Sequence, residues 1–187
     1  MGIKMEIDNR EFHKLLVPRP VLLVTTMSKR GRADVSPFSF TGPISFEPPL
    51  LMLSVGTDKH SYWSIVQKEE FVVNIPNEEM LEKVWIAGGD WEEEKSKIEK
   101  AELKTEESDL IGPPLLSECP VNMECIVKDA KKIGDHIQVI GEIKKIHVDE
   151  EVIDDDGNLK VDIVRPPLHI SGAKFAFPYV TKKAGKE

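Results

Sequence analysis

The chain reads as a single mainly β domain with flanking helices, and three features of its pattern carry that reading. Short runs rich in β-branched and other apolar residues recur, among them Val21 to Thr26, Leu50 to Val55 and Phe71 to Ile75, and Pro or Gly punctuates the chain around them. Two longer stretches, 121–132 and 136–149, flank Gly134-Asp135 and make the largest predicted hairpin. Helical signals are short: residues 8–16, a helix opening near residue 58, and a pair within 77–104.

Length and charge bound the rest. A chain of 187 residues fits one domain with a substantial core. No apolar run approaches the length that spans a bilayer, and the first residues, Met-Gly-Ile-Lys-Met-Glu-Ile-Asp, hold no apolar signal core. The expected location is the cytoplasm, with no membrane partner. A net charge of −8 argues against a nucleic-acid partner, because binding phosphate backbones needs a basic face. Two cysteines are too few for a disulfide framework or a zinc site. Cys125 alternates with Val121, Met123 and Val127 and is expected in a strand's core face, whereas Cys119 precedes Pro120 in a loop where it can be exposed.

Taken in order, residues 8–16 place Phe12, Leu15 and Leu16 on one helical face, and Pro18 and Pro20 end that helix. Val21 to Thr26 follows as a central strand. Lys29-Arg30-Gly31-Arg32 is its turn, with Gly31 supplying a positive φ, and Ala33 to Phe40 returns beside it. Leu50, Leu51, Met52, Leu53 and Val55, bounded by Pro48-Pro49 and Gly56, predict a strand buried on both faces. Thr57 or Asp58 is placed to cap the next helix, with Lys59, His60 and Ser61 in its first turn. A helix start offers free N–H groups and partial positive charge, which suits a phosphate. Lys59 adds a full charge, and Ser61 and Ser64 lie three apart on one face. A solvated helix cap reads the same way in sequence.

Tyr62, Trp63, Ile65 and Val66 give this helix apolar residues on more than one side, so it is expected to dock on the sheet. Phe71 to Ile75 is a strand stopped by Pro76. Asn77 caps a helix through Ile86, Gly88-Gly89 breaks it, and Asp90 opens another through about Lys100; residues 77–104 thus form a helical insertion between strands. Residues 105–118 read as loop before the long hairpin, near whose end His147 sits in a surface or hydrogen-bonded role. Asp154-Asp155-Asp156-Gly157-Asn158 lacks the spaced ligands of a calcium loop and reads as a solvated acidic turn. From about residue 176 the chain reads as a loose tail. No Gly-x-Gly-x-x-Gly, Gly-x-x-x-x-Gly-Lys-Ser/Thr or His-Glu-x-x-His is present, and no Ser or Cys sits in a recognisable nucleophile elbow.

Several short motifs, in order, resemble the flavin reductase-like, FMN-binding split-barrel family, especially its flavoredoxin branch. They are Pro18-Arg19-Pro20 with the following Val-Leu-Leu-Val-Thr-Thr, Ser36-Pro37-Phe38-Ser39-Phe40, Glu47-Pro48-Pro49-Leu50, Lys59-His60-Ser61, Glu70 to Ile75, Ser117 to Cys125, and Gly141-Glu142-Ile143 with His147-Val148. Together they cover roughly residues 10 to 175. The resemblance implies an antiparallel split β-barrel that binds FMN, with NADH or NADPH as a transient electron donor.

Carried over residue by residue, the resemblance puts Thr25, Thr26, Ser36 and Ser39 near the flavin ring or ribityl chain, with Pro37, Phe38 and Ser54 in the same set. Lys59, His60, Ser61 and Ser64 fall at the phosphate. Strand serines and threonines also pair across ladders, which is the alternative for each. The resemblance further implies a homodimer sharing its flavin cleft, with 166–175 reaching the partner's site, and an insertion that covers one side of the flavin. Trp85 and Trp91 are read as core residues or as lid aromatics. Ser171 stands where the family usually has the first of two glycines, and no catalytic residue is assigned. Arg19, His60, Lys174 and the insertion are candidate walls of a weak nicotinamide site. The implied activity is NAD(P)H-dependent reduction of flavin or a small acceptor. The alternatives are a flavoredoxin-type electron carrier serving a redox protein, a relative of FMN or pyridoxamine-phosphate oxidases, and a non-catalytic interaction domain.

Overall fold

The fold is seen in a computed structural model that describes residues 2, 4–90, 92 and 95–185, with the side chains of His60 and Ser61 outside the description. Trp91 also lies outside the described residues. In chain order the strands are β1 (Arg19–Pro20), β2 (Leu22–Met27), β3 (Ala33–Phe38), β4 (Thr41–Ser45), β5 (Leu50–Gly56) and β6 (Glu70–Ile75). They continue as β7 (Thr105–Glu106), β8 (Leu115–Leu116), β9 (Val121–Ile133), β10 (His136–Val148), β11 (Leu168–Ser171) and β12 (Lys174–Ala176). The helices are α1 (His60–Lys68), α2 (Leu81–Ala87), α3 (Lys97–Lys100) and α4 (Val161–Val164). Among the described residues, no helix is long and apolar enough to cross a membrane.

Seven strands form one antiparallel sheet in the order β3-β2-β6-β9-β10-β5-β4. The predicted central strand, its Gly31 turn (φ +79°) and the long hairpin through Gly134 (φ +66°) are all present. β3 stands at one edge and β5 next to the other, yet the two come into contact. The sheet therefore curls, and Phe38 of β3 shares one core with Leu51 and Leu53 of β5, closed by Ile65 of α1.

Alternation along β2 and β3 feeds a second core on the opposite face. Leu23 and Val35 pack there against Met80, Val84 and Ala87 of the insertion and Ile98 of α3. The insertion is thus a structural layer. Asn77 caps its start, accepting from Met80 N at 3.2 Å. Its second helix begins at Lys97 and not at Asp90, because Ser96 and Glu99 form a reciprocal capping box. Trp85 stays out of the core, at 51% exposure.

Other expectations are corrected. β5 is buried on alternate residues only: Leu51, Leu53 and Val55 face the core, while Met52 and Ser54 line an open depression on the other side. Residues 9–14 form a 3₁₀ helix capped by Asp8, and Phe12, Leu15 and Leu16 remain exposed, with no described element packed over them. Cys119 is buried in the second core, its thiol 3.6 Å from Met80 Sδ and its pKa pushed up by burial. Cys125 is buried as expected, its pKa raised to about 12. After Ala176 the described residues carry no regular structure, and among them Tyr179 donates to Glu78 at 2.6 Å, with the Arg165 guanidinium over its ring.

Both faces of β9 are covered over its first half, so Asn122 and Glu124 are buried too, whereas residues 128–133 are exposed. The covering segment is 105–118, pinned by a polar network. Asn74 donates to Leu23 O at 2.9 Å and accepts from Leu116 N at 3.0 Å and from Asn122 at 2.7 Å, so its amide is satisfied inside the protein. Glu124, 0% exposed, accepts from Asp109 N at 3.0 Å, Leu110 N at 2.8 Å and His147 Nε2 at 2.7 Å. His147 thus has the hydrogen-bonded role expected of it. The Asp154 carboxylate accepts from the Asp156 and Asn158 amides, which makes the acidic segment a self-contained turn.

Burial pushes the Glu124 pKa up, but His147 and the two amides outweigh it and hold the carboxyl below its ordinary value. A depressed folded pKa gives stability that is present above the unfolded value and lost as pH falls through the folded one. Glu124→Gln is therefore expected to cost about 1.5–3 kcal/mol at neutral pH, the range for hydrogen bonds to a charged group. Urea unfolding should show this deficit begin to narrow as pH falls below the ordinary glutamate range, about pH 4, and close only at lower pH, where the folded wild-type carboxyl protonates too.

Candidate functional site

Ser39 and Phe40 link β3 directly to β4, and the Phe40 carbonyl accepts from Ser54 N at 2.8 Å. Along this seam the curl leaves a cleft of about 540 Å³, within the range of small-molecule sites. Residues 36–40 form one wall. Ser54 to Gly56 with Asp58 and Lys59 form the second, and Ala87 to Asp90 with Lys97 the third. His136 closes a corner, its ring stacked on Phe40 with centroids 5.8 Å apart.

The helix start lies one step later than the sequence suggests. Lys59 N donates to Gly56 O at 3.1 Å, closing a turn over Thr57 and Asp58, so neither residue caps. Lys59 itself is the extended N-cap of α1 and makes no side-chain cap bond. Among the described residues the first turn of this nine-residue helix has no side-chain cap, and the lysine at its start lines the cleft.

Of the expected site residues, Ser36, Pro37, Phe38, Ser39, Ser54 and Lys59 line this cleft together. Thr25 does not, because the period of two along a strand puts it on the face opposite Ser36. Its hydroxyl donates instead to Pro114 O at 2.5 Å. Thr26 is buried opposite Asp34, and Ser64 is buried one turn into α1; neither is a wall of the cleft. The side chains of His60 and Ser61 lie outside the description.

The sequence reading missed Lys97, His136, Asp58, Asp90 and the two glycines as walls. Gly88-Gly89 had a visible signal, but as a helix break. Ser96-x-x-Glu99 is a capping-box pattern that places Lys97 at the first helical position. Lys97 is 7% exposed and donates to Ser36 Oγ at 2.6 Å, while its backbone N–H donates to Asp34 Oδ1 at 2.8 Å. Burial lowers its pKa; Asp34 opposes that, and the nearby Lys59 and Lys100 charges add to it.

A second cavity of about 350 Å³ shares Pro37, Phe38, Ser39, Gly88 and Gly89 with the first. Its other walls are mostly apolar, Val21, Val84, Trp85 and Phe175, with His169 at one side. The His169 Nδ1 lies 3.1 Å from an Arg19 guanidinium nitrogen and its Nε2 lies 3.1 Å from Gly172 O. Because the guanidinium can only donate, Nδ1 accepts and Nε2 carries the proton. One cavity thus holds two cations, Lys59 and Lys97, beside the carboxylates of Asp58 and Asp90, and the other offers mostly apolar walls. The pair suits an elongated ligand with an anionic end beside a second, planar ligand.

The family model described as flavin reductase like domain matches residues 14–172. An uncharacterized protein of Aquifex aeolicus is 34% identical over 176 residues, covering 89% of this chain and 90% of that protein. The crystal structure of nitrilotriacetate monooxygenase component B from Bacillus cereus superposes with a TM-score of 0.91 at 25% identity, over 98% of this chain and 100% of the other. That of the 2-nitrobenzoate 2-nitroreductase NbaA from Pseudomonas fluorescens gives 0.85 at 25% identity, over 100% and 96%.

Proposed function

Since the chain belongs to the flavin reductase-like family, we propose that it is an FMN-binding oxidoreductase that takes hydride from NADH or NADPH and reduces flavin or a small acceptor. Family membership carries the coarser statement, a flavin-related redox function. The observation that supports FMN is the pairing of one uncapped helix start with Lys59 and Lys97 at one cleft. That suits a single phosphate: the buried Lys97 ammonium makes no close ion pair among the described residues, although the Asp34 and Asp90 charges bear on it.

A bound flavin supplies the redox chemistry, accepting hydride and passing electrons on. The protein's part is to hold and orient. Residues 37–39 and 88–89 line both cavities, so a planar molecule held in the apolar cavity would lie beside a ring held in the cleft. Such proximity is what efficient hydride transfer requires. Val21, Val84, Trp85 and Phe175 exclude water from that face without offering a cation to a diphosphate, which supports weak and open binding of the nicotinamide donor. That one structural neighbour is named a nitroreductase supports reduction of a small acceptor over a carrier role.

The working unit in this reading is a homodimer. An open depression lined by Phe12, Leu16, Met52 and Ile133 joins the cleft at Ser39, Phe40, Ser54 and His136. A second copy covering those apolar residues would also wall the cleft. Sedimentation is expected to show a dimer that takes up two equivalent flavins; a monomer binding FMN tightly would contradict the shared cleft.

Two further outcomes follow. Flavin released by denaturing the protein should chromatograph as FMN, and Lys59→Ala should weaken FMN binding about tenfold, the low end for a charge-assisted contact at a site open to solvent. In anaerobic stopped-flow, NADH or NADPH should bleach the flavin absorbance and saturate only at high micromolar to millimolar donor, roughly −4 to −6 kcal/mol of binding. A flavin reduced by dithionite but by neither nucleotide within minutes would replace the reductase with the carrier reading.

A further inference from the structure

Charged residues make up 31% of the chain, yet among the described residues no wall of the second cavity bears a full charge. Its one titratable wall is His169, and the hydrogen bonds of that ring fix it as the neutral imidazole. Nδ1 accepts from the Arg19 guanidinium at 3.1 Å, and Nε2 donates to Gly172 O at 3.1 Å. The Arg19 charge stays behind the ring and is not itself a wall. Its other terminal nitrogen donates to His13 O at 2.6 Å and Leu16 O at 2.7 Å, and its guanidinium lies over Phe40, 5.1 Å from the ring centre. Trp85 adds an independent observation. Val84 beside it on α2 is buried, whereas Trp85 lines this cavity and remains half exposed. On another side the His169 and Phe175 rings pack tilted, with centroids 5.4 Å apart. An indole left half in water beside aromatic walls gains most when another flat ring covers it.

We propose that this cavity binds a neutral, planar aromatic molecule of about two fused rings, that the ligand stacks on Trp85, and that the same ring bearing a carboxylate is rejected. The role of that ligand as electron acceptor rests on the oxidoreductase reading; the binding preference does not. A carboxylate entering here leaves water and meets no cation, whereas a neutral amide has the Ser39 hydroxyl and the Gly88–Gly89 backbone within the same walls. The open depression beside Phe12 and Met52 is also partly apolar, but Arg10 and Arg19 line it, so it suits the opposite choice.

The test uses two probes of one shape, naphthalene-2-carboxamide and naphthalene-2-carboxylate. Each is titrated by calorimetry into the FMN-loaded and the flavin-free protein, and NMR locates the site. The carboxamide is expected to bind at least about tenfold more tightly than the carboxylate. It should move the Trp85 indole and His169 ring resonances. Trp85→Ala, at a position outside the buried core, should weaken the carboxamide about three- to tenfold. FMN affinity should stay within about threefold, because Trp85 is not a wall of the first cleft. No carboxamide binding, equal or tighter binding of the carboxylate, an undiminished Trp85→Ala, or shifts confined to the depression around Phe12 and Met52 would overturn the proposal. So would imidazole nitrogen shifts showing His169 doubly protonated at neutral pH. A protein that takes up no FMN removes the oxidoreductase reading alone, and the flavin-free titration then decides the cavity.

Discussion

The curl of the seven-stranded sheet is the constraint on which everything else depends. Its strand order keeps β3 and β5 apart, but a direct link through Ser39 and Phe40, locked by the Phe40–Ser54 backbone bond, draws them together. Phe38, Leu51, Leu53 and Ile65 then close one core, and burying each such side chain contributes about 1.5–3 kcal/mol. A cleft walled by a strand end, a helix start and an insertion is the consequence.

The insertion is the element whose role changes most when seen in three dimensions. It packs Met80, Val84, Ala87 and Ile98 beneath β2 and β3, so it is fixed by the same apolar burial as the sheet. That rigidity is what allows it to present a charged group at a set position. Lys97 would be a liability in a protein selected for stability alone. Its place beside Lys59 and Ser36 fits the general pattern in which unfavourable local electrostatics collect where a ligand relieves them.

The strands were legible because their signals are local. Runs such as Phe71 to Ile75, the Gly31 and Gly134 turns and the long hairpin each depend on few neighbours. Faces were harder. Thr25 and Ser36 look equivalent as strand hydroxyls, but the β2–β3 register pairs Ser36 with Val24 and sends Thr25 to the other side, where segment 105–118 receives it. Burial of Cys119, Asn122 and Glu124 depended on that same covering segment, which carries almost no regular structure of its own. Lys97 was illegible for a related reason: it reaches Ser36 from 61 residues away, and an internal lysine in a Glu- and Lys-rich stretch looks like solvated surface.

A structure of the protein crystallised with FMN tests the central claim most directly. The account predicts the phosphate at the start of α1, within hydrogen-bonding distance of the Lys97 ammonium, and the ring along residues 36–39 at the border of the two cavities. A flavin seated elsewhere, with Lys97 still bonded only to Ser36 and the cleft left to solvent, would contradict it.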